Sequence, residues 1–289
     1  MDDMEWHEYL EVAGGLSKYT LRAYKHAYYK IALALKKSIT KSAQRDIITV
    51  CDDDKSKATT KQQLINVAIQ IRRFHQAPVD MLIKFRERLF LQIADQKNQA
   101  NREKVDDLPS VDDLKLHAKR LYAANDWRKY IVFELMSSMS TRNQDLNLII
   151  VGSKKQATDP NENYLVARKT DLLYVRRNYK TASSYGEKQN IIKNKKINTA
   201  VWRLIGESGG QLPLPLLTKH GTNTRIAEDS VQKYVRGTTP DGISESDVFK
   251  IHVTQVESLK DYSKLKKMSQ NRGTRVENVI EHYNLNVRT

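Results

Sequence analysis

Glycine and proline are scarce in this chain, at 11 and 6 of 289 residues. An all-β sandwich or barrel needs a turn about every ten residues, and those two residue types make most tight turns. The scarcity therefore points to helices joined by few connections. The apolar spacing agrees. In LSKYTLRAYKHAYYKIALALKK, Tyr19, Leu21, Tyr24, Tyr28, Ile31 and Leu35 recur at helical intervals behind Ser17, a candidate N-cap. Arg22, Lys25 and Lys30 lie off that stripe.

VCDDDKSKATT reads as a polar loop whose Thr60 caps the next helix, KQQLINVAIQIRRFHQ. Pro78 opens another helix, whose apolar positions fade after Ile93. Residues 1–105 thus form a small all-helical domain. A linker at DDLPS leads to a helix in which Ser110 and Asp113 make an acidic capping box. DWRKYIVFELMSSMS is a largely buried helix, Thr141–Asn143 a turn, and LNLIIV a strand. Between Asn163 and Ile192 the chain is rich in Tyr, Val, Leu and Thr in short runs, which predicts an antiparallel sheet of about three strands. Helix returns at KKINTAVWRLIGESGG and persists, in two or three segments, to the end. The fold class is mainly α with a small antiparallel β-sheet (α+β), its second domain spanning 106–289.

Charge narrows the partner. Lys and Arg number 49 against 34 Asp and Glu, a formal net charge of +15. A polyanion, double-stranded DNA first, is the expected partner. A membrane surface is disfavoured, because the cations do not gather on one amphipathic segment. The single cysteine, Cys51, excludes a disulfide framework and a Cys-rich zinc site. No basic-then-apolar leader and no apolar run of roughly 18–20 residues is present, so an intracellular protein of a reducing compartment is expected. No motif for a nucleotide or metal cofactor is found.

Three residues can carry chemistry. Arg142 follows a buried helix, where a pinned guanidinium fork suits a phosphate or carboxylate; the plainer alternative is a salt bridge to Asp145 or Glu134. Lys180, in RRNYKTASSYG beside Arg176 and Arg177, can enter a DNA groove or protonate a leaving oxygen; the alternative is one more solvated lysine. Tyr283, near Arg272, Arg275 and His282, is either a core aromatic or a nucleophile whose anion those cations stabilise.

Taken in order, a helical domain, Arg after a buried helix, Lys on a small sheet and Tyr on the last helix resemble the tyrosine recombinase (phage-integrase) family over nearly the whole chain. LSKYTLRAYKHAYYKIA is similar to the first helix of that family's core-binding domain. TRNQDL is similar to the segment of its first catalytic arginine, NYKTASSYGEKQNIIK to its β-hairpin, and RGTRVENVIEHYN to its tyrosine segment. The resemblance implies a core-binding domain at 1–105 and a catalytic domain at 106–289. It also implies DNA integration or site-specific recombination through a 3′-phosphotyrosyl intermediate, with no metal or other cofactor and a homotetramer on DNA. Arg142, Lys180 and Tyr283 take the roles of phosphate clamp, general acid and nucleophile.

The family's His-x-x-Arg motif falls at SDVFKIHVTQVE, where Asp247 and Lys250 stand instead, with His252 two residues on. Lys250 keeps the charge without the bidentate fork. Arg272, with Gln270 as alternative, fills the position shortly before the tyrosine. DNA contacts are expected from Lys18, Arg22, Lys25, Arg72, Arg73, Arg176, Arg177 and Arg275. The style of the motifs is that of a virus or mobile element, in host nucleus or cytoplasm or in the virion. Three other readings compete: a DNA-packaging protein that keeps this fold without its reaction, a type IB topoisomerase-like enzyme, and an RNA-binding protein of another fold.

Overall fold

In the computed structural model the chain divides into two compact units, Met1–Glu103 and Lys104–Thr289. The structure describes residues 6, 8, 10, 16, 18–52, 55–105, 107–256 and 261–283, without the side chains of 18, 19, 98, 101, 102, 104, 105 and 281. The expected N-cap Ser17 and the expected DNA-contact side chain of Lys18 lie outside the described residues.

The first unit is helical: α1 (Lys18–Leu35), α2 (Gln44–Asp52), α3 (Ala58–Phe74) and α4 (Asp80–Val105). Its core holds Ala27 and Ile31 of α1, Ile47 and Cys51 of α2, and Leu82, Phe85, Leu89 and Ile93 of α4. Helix α3 is buried on most sides, through Leu64, Ile65, Val67, Ala68, Ile69 and Ile71, because it packs on both α1 and α2. Thr60 does not cap it. The N-cap is Lys57, and Ala58 is buried one turn earlier than the polar pattern implied.

Arg72 corrects another expectation. Only 6% exposed, its guanidinium donates to the carbonyls of Pro78 at 2.7 Å, Ile39 at 3.0 Å, Thr40 at 3.2 Å and Ser42 at 2.7 Å. Ile39 and Ser42 are buried, and a guanidinium donor to their carbonyls offsets the cost of taking them out of water. Arg72 is therefore a fastener of the loop and not a DNA contact. Arg22 and Arg73 are exposed and Lys25 half-buried.

The second unit is a mixed sheet with helices against it. Helix α5 (Val111–Ala123) begins at the Ser110/Asp113 capping box. Helix α6 (Trp127–Met139) buries Trp127, Tyr130, Ile131, Val132, Phe133, Leu135 and Met136, so no solvent stripe is left for periodicity to mark. The strands are β1 (Leu148–Val151), β2 (Asn163–Ala167), β3 (Leu172–Arg176), β4 (Lys188–Ile192) and β5 (Leu214–Pro215), with the short α7 (Ala182–Tyr185) before β4 and α8 (Lys195–Glu207) after it. Their order is β4-β3-β2-β1-β5.

Residues 163–192 form the three antiparallel strands expected, β2, β3 and β4, and β1 and β5 extend them into a mixed sheet of five. β1 pairs with β2 in parallel, Ile150 opposite Leu165, and the remaining pairs are antiparallel. Residues 152–162 carry the chain back to the start of β2, which a two-residue turn cannot do. Along β2 and β3 the side chains alternate: Leu165, Ala167, Leu172 and Tyr174 join the main core, and Tyr164, Val166, Leu173 and Val175 a smaller one behind the sheet. Both faces are covered, which explains the continuous apolar runs.

Helices α9 (Val231–Arg236), α10 (Glu245–Thr254), α11 (Tyr262–Arg272) and α12 (Val276–Tyr283) complete the unit. A third cluster joins Phe249 and Val253 of α10 to Leu265 of α11 and Val276 and Val279 of α12. No described helix is long and apolar enough to cross a membrane.

Replacing Arg72 with alanine removes a buried guanidinium's hydrogen bonds to the carbonyls at 39, 40 and 42 and is expected to destabilise the first unit by about 2–4 kcal/mol. Urea unfolding of the variant against wild type, followed by circular dichroism, measures it.

Candidate functional site

The site begins where α6 stops. Ser140 takes the left-handed conformation, φ 52°, and turns the chain into the 3-10 turn Asn143–Leu146 with Arg142 extended at its head. Asp145 closes that turn by accepting the Arg142 backbone N–H at 3.2 Å. The same carboxylate lies 3.4 Å from Arg176 Nη1, both residues 1% exposed. Burial pushes the Asp145 carboxyl up, against the pull of Arg176. The charge of Asp145 is thus committed to Arg176, and Arg142 is held by its backbone instead of by the salt bridge that was its plainer alternative.

Arg176 also donates to the carbonyl of Asn271 at 2.5 Å and to Asn190 Oδ1 at 3.1 Å. Two more donors, one at the start of β4 and one in the β3–β4 connection, reach the same place: Lys188 Nζ to Gln270 O at 2.7 Å, and Thr181 Oγ1 to Gly273 O at 3.0 Å. The last carbonyls of α11 have no partners inside the helix and carry the negative end of its dipole, so two cations and a hydroxyl suit them. Gly273 is required there twice over. Its φ is +67°, and a Cβ would stand 2.6 Å from Thr181 Oγ1.

With the end of α11 fixed, Arg272 is fixed too. Its guanidinium, 3% exposed, pairs with Glu245 at the start of α10 and stacks over Phe249, 4.1 Å to the ring centre, and Tyr283, 4.9 Å. The Phe249 and Tyr283 rings meet edge to face at 4.8 Å. Burial, and next the Arg272 charge, lower the Arg142 pKa, with Asp145, Tyr283 and Glu245 acting the other way. Arg142 remains a cation at neutral pH.

Buried polar atoms without a partner gather here. Thr141 Oγ1, Arg142 Nη1, Asn143 Oδ1, Asp145 Oδ1, Arg176 Nε and Arg272 Nε are six of eight such atoms among the described residues. A fold satisfies nearly all its buried donors and acceptors, so a concentration of exceptions marks a place that can accept a ligand. Arg142 and Arg272 offer unmatched donors, which suit an anion.

Arg142, Arg272 and Tyr283 are therefore brought together, and Gln270 contributes its carbonyl while its side chain is exposed. Lys180 is exposed on the β3–β4 connection; the tight β2–β3 hairpin turns at residues 168–171 instead. A lysine not singled out from the sequence, Lys188, lies in this cluster, its ammonium over the rings of Tyr179 at 5.0 Å and Tyr185 at 5.1 Å. Burial, then Arg176 and Arg142, lower its pKa. Its signal was its place at the start of a strand, directly behind the Gly186 turn.

Two expected DNA contacts are corrected. Arg176 is interior, as described, and Arg177 is spent on Glu187 and on the carbonyls of Ala157 and Asp159. Arg275 is exposed at the head of α12. Asp247 completes the capping box of α10 with Ser244 and lies 3.7 Å from Lys250 Nζ. His252 shares a 2.7 Å hydrogen bond with Ser137 of α6. Among the described residues no group of three or more His, Cys, Asp or Glu is arranged to hold a metal ion.

No family model and no curated protein sequence matches this chain. Among solved structures, the chain is similar to one described as the crystal structure of XerA recombinase, with 12% identity and a TM-score of 0.40 over 98% of this chain and 92% of that one. The reading of the site therefore rests on its own residues.

Burial, with Lys264 and Lys115 adding to it, holds the His252 pKa down to about 4. The unfolded chain, with an imidazole near 6.5, takes up the proton first as the pH falls. Stability is therefore full above about 6.5, declines through the interval, and by about pH 4 has lost up to about 3 kcal/mol. Urea midpoints across pH 4–7 should show that slope in wild type and a shallower one in His252→Gln.

Proposed function

We propose that this chain cuts and rejoins double-stranded DNA, with Tyr283 as the nucleophile. The observation that carries the reading is the buried, unmatched Nη1 of Arg142 in one cluster with Arg272 and Tyr283. A phosphodiester drawn to the two guanidiniums lies beside a phenol whose anion the Arg272 cation stabilises.

The phenol oxygen, giving up its proton to solvent, attacks phosphorus. A P–O(Tyr) bond forms, the P–O5′ bond breaks, and the departing 5′ oxygen takes a proton. Lys188 is favoured over Lys180 as the donor, because its depressed pKa and its coupling to Arg142 suit an acid beside the phosphate. A 5′-hydroxyl then attacks the phosphotyrosine and reverses each step, so bond energy is conserved without a nucleotide. Arg142 and Arg272 supply donors to the non-bridging oxygens. Rejoining to a partner duplex, as in recombination or integration, calls for four protomers on two sites, hence a homotetramer on DNA. The surplus of 15 positive charges supports a polyanionic substrate.

One observation favours a second reading, a DNA-binding protein that keeps this arrangement without reaction: Arg272 is already ion-paired to Glu245.

A nicked, end-labelled duplex that traps covalent intermediates separates the two. Wild type is expected to yield a protein–DNA band on a denaturing gel, and Tyr283→Phe none. Arg142→Ala should slow its appearance by about 10²–10³-fold. Salt-dependent binding with no band in any protein decides for the second reading.

A further inference from the structure

We infer that Glu245 is a resident counter-anion of the DNA site: its carboxylate holds the Arg272 guanidinium while the site is empty and exchanges places with a backbone phosphate when DNA enters. The inference rests on the reading that Arg142, Arg272 and Tyr283 engage a phosphodiester.

The geometry makes the two anions competitors. Glu245 is 8% exposed and Arg272 3%, and they meet where the rings of Phe249 and Tyr283 cover the guanidinium. Desolvating such a pair costs about as much as its attraction returns, so net stability is a weak reason for a carboxylate here. Positioning is a better one. A guanidinium pinned by a carboxylate and two rings needs no further ordering when a substrate arrives.

The local charges leave room for one more anion. Arg142, Arg176, Arg272 and Lys188 face two carboxylates, Asp145 and Glu245, and Asp145 is committed to Arg176. Positive charge is left over, which a phosphodiester, carrying a single negative charge, offsets in part. Arg142 Nη1, Arg176 Nε and Arg272 Nε are buried guanidinium donors still without acceptors. The phosphate that approaches them meets the Glu245 carboxylate as a like charge until that carboxylate lets go of Arg272. Burial raises the Glu245 pKa while Arg272 and Arg142 lower it and Asp145 raises it, so its ionised form is less secure than that of an exposed glutamate.

Glu245→Gln keeps the shape and removes the charge. Binding of a short fluorescent duplex at fixed salt, measured by anisotropy, is expected to tighten on the order of tenfold, the size of one like-charge contact relieved. The gain should vanish in an Arg272→Ala background, because it acts through that guanidinium. Inorganic phosphate should raise the melting temperature of Glu245→Gln more than that of wild type. A merely structural glutamate would give weaker binding and no added response to phosphate. Glu245→Ala serves as the second variant if the glutamine one does not fold, and failure of both to fold overturns the inference. So does binding by the variants no tighter than wild type, which leaves the DNA reading intact. Absence of duplex binding by wild type and variants alike overturns both.

Discussion

The end of α11 is where the second unit is fastened. Three donors, Arg176 at the end of β3, Thr181 in the β3–β4 connection and Lys188 at the start of β4, meet the carbonyls of Asn271, Gly273 and Gln270. Helix-terminal carbonyls buried away from water are expensive to leave alone, and their partial negative charge draws cations. Arg176 in turn depends on Asp145, and Asp145 closes the turn that presents Arg142. One guanidinium thus ties the turn after α6, the sheet and the end of α11 together. Arg142 and Arg272 share a site because of that tie.

Arginine does two jobs in this protein, and its surroundings decide which. Arg72 and Arg177 spend their forks on loop carbonyls, and Arg225 grips both oxygens of Glu162 and the backbone of Asn147. These residues hold irregular chain in place, work suited to five donors in a rigid plane. Arg142 is held by its main chain and leaves an Nη1 unmatched. A count of cations cannot separate the two jobs, because a fastener and a ligand-binding group carry the same charge.

The turn at Arg142 was legible because a run of apolar residues long enough to be a buried helix stops abruptly at a polar TRNQDL, whereas Asp145, read as a salt-bridge partner, closes the turn through the Arg142 backbone. The capping boxes at Ser110 and Ser244 follow the same local rule, although only the first was read from the sequence. The strands of 163–192 were legible from their residue types. Their neighbours were not. β5 is a Leu–Pro pair at the sheet edge, and the parallel pairing of β1 with β2 depends on a connection whose path no local pattern encodes. Lys188 was not singled out, because nothing in its local sequence beyond the Gly186 turn marks it, and only the docking of α11 brings it to the carbonyl of Gln270.

By itself, the sequence determined the helical majority, the surplus of positive charge, the division of the chain near residue 105 and the kinds of side chain available at Arg142, Arg272 and Tyr283. Those follow from periodicity, composition and short-range turn chemistry, which act between residues a few positions apart. The tertiary structure alone decided which arginines are interior, that Glu245 and not Asp247 faces Arg272, and that Lys188 reaches the end of α11. Each of those pairings joins residues from about 27 to 95 positions apart. Contacts of that span exist only once the core has closed, where low dielectric makes every unmatched charge consequential.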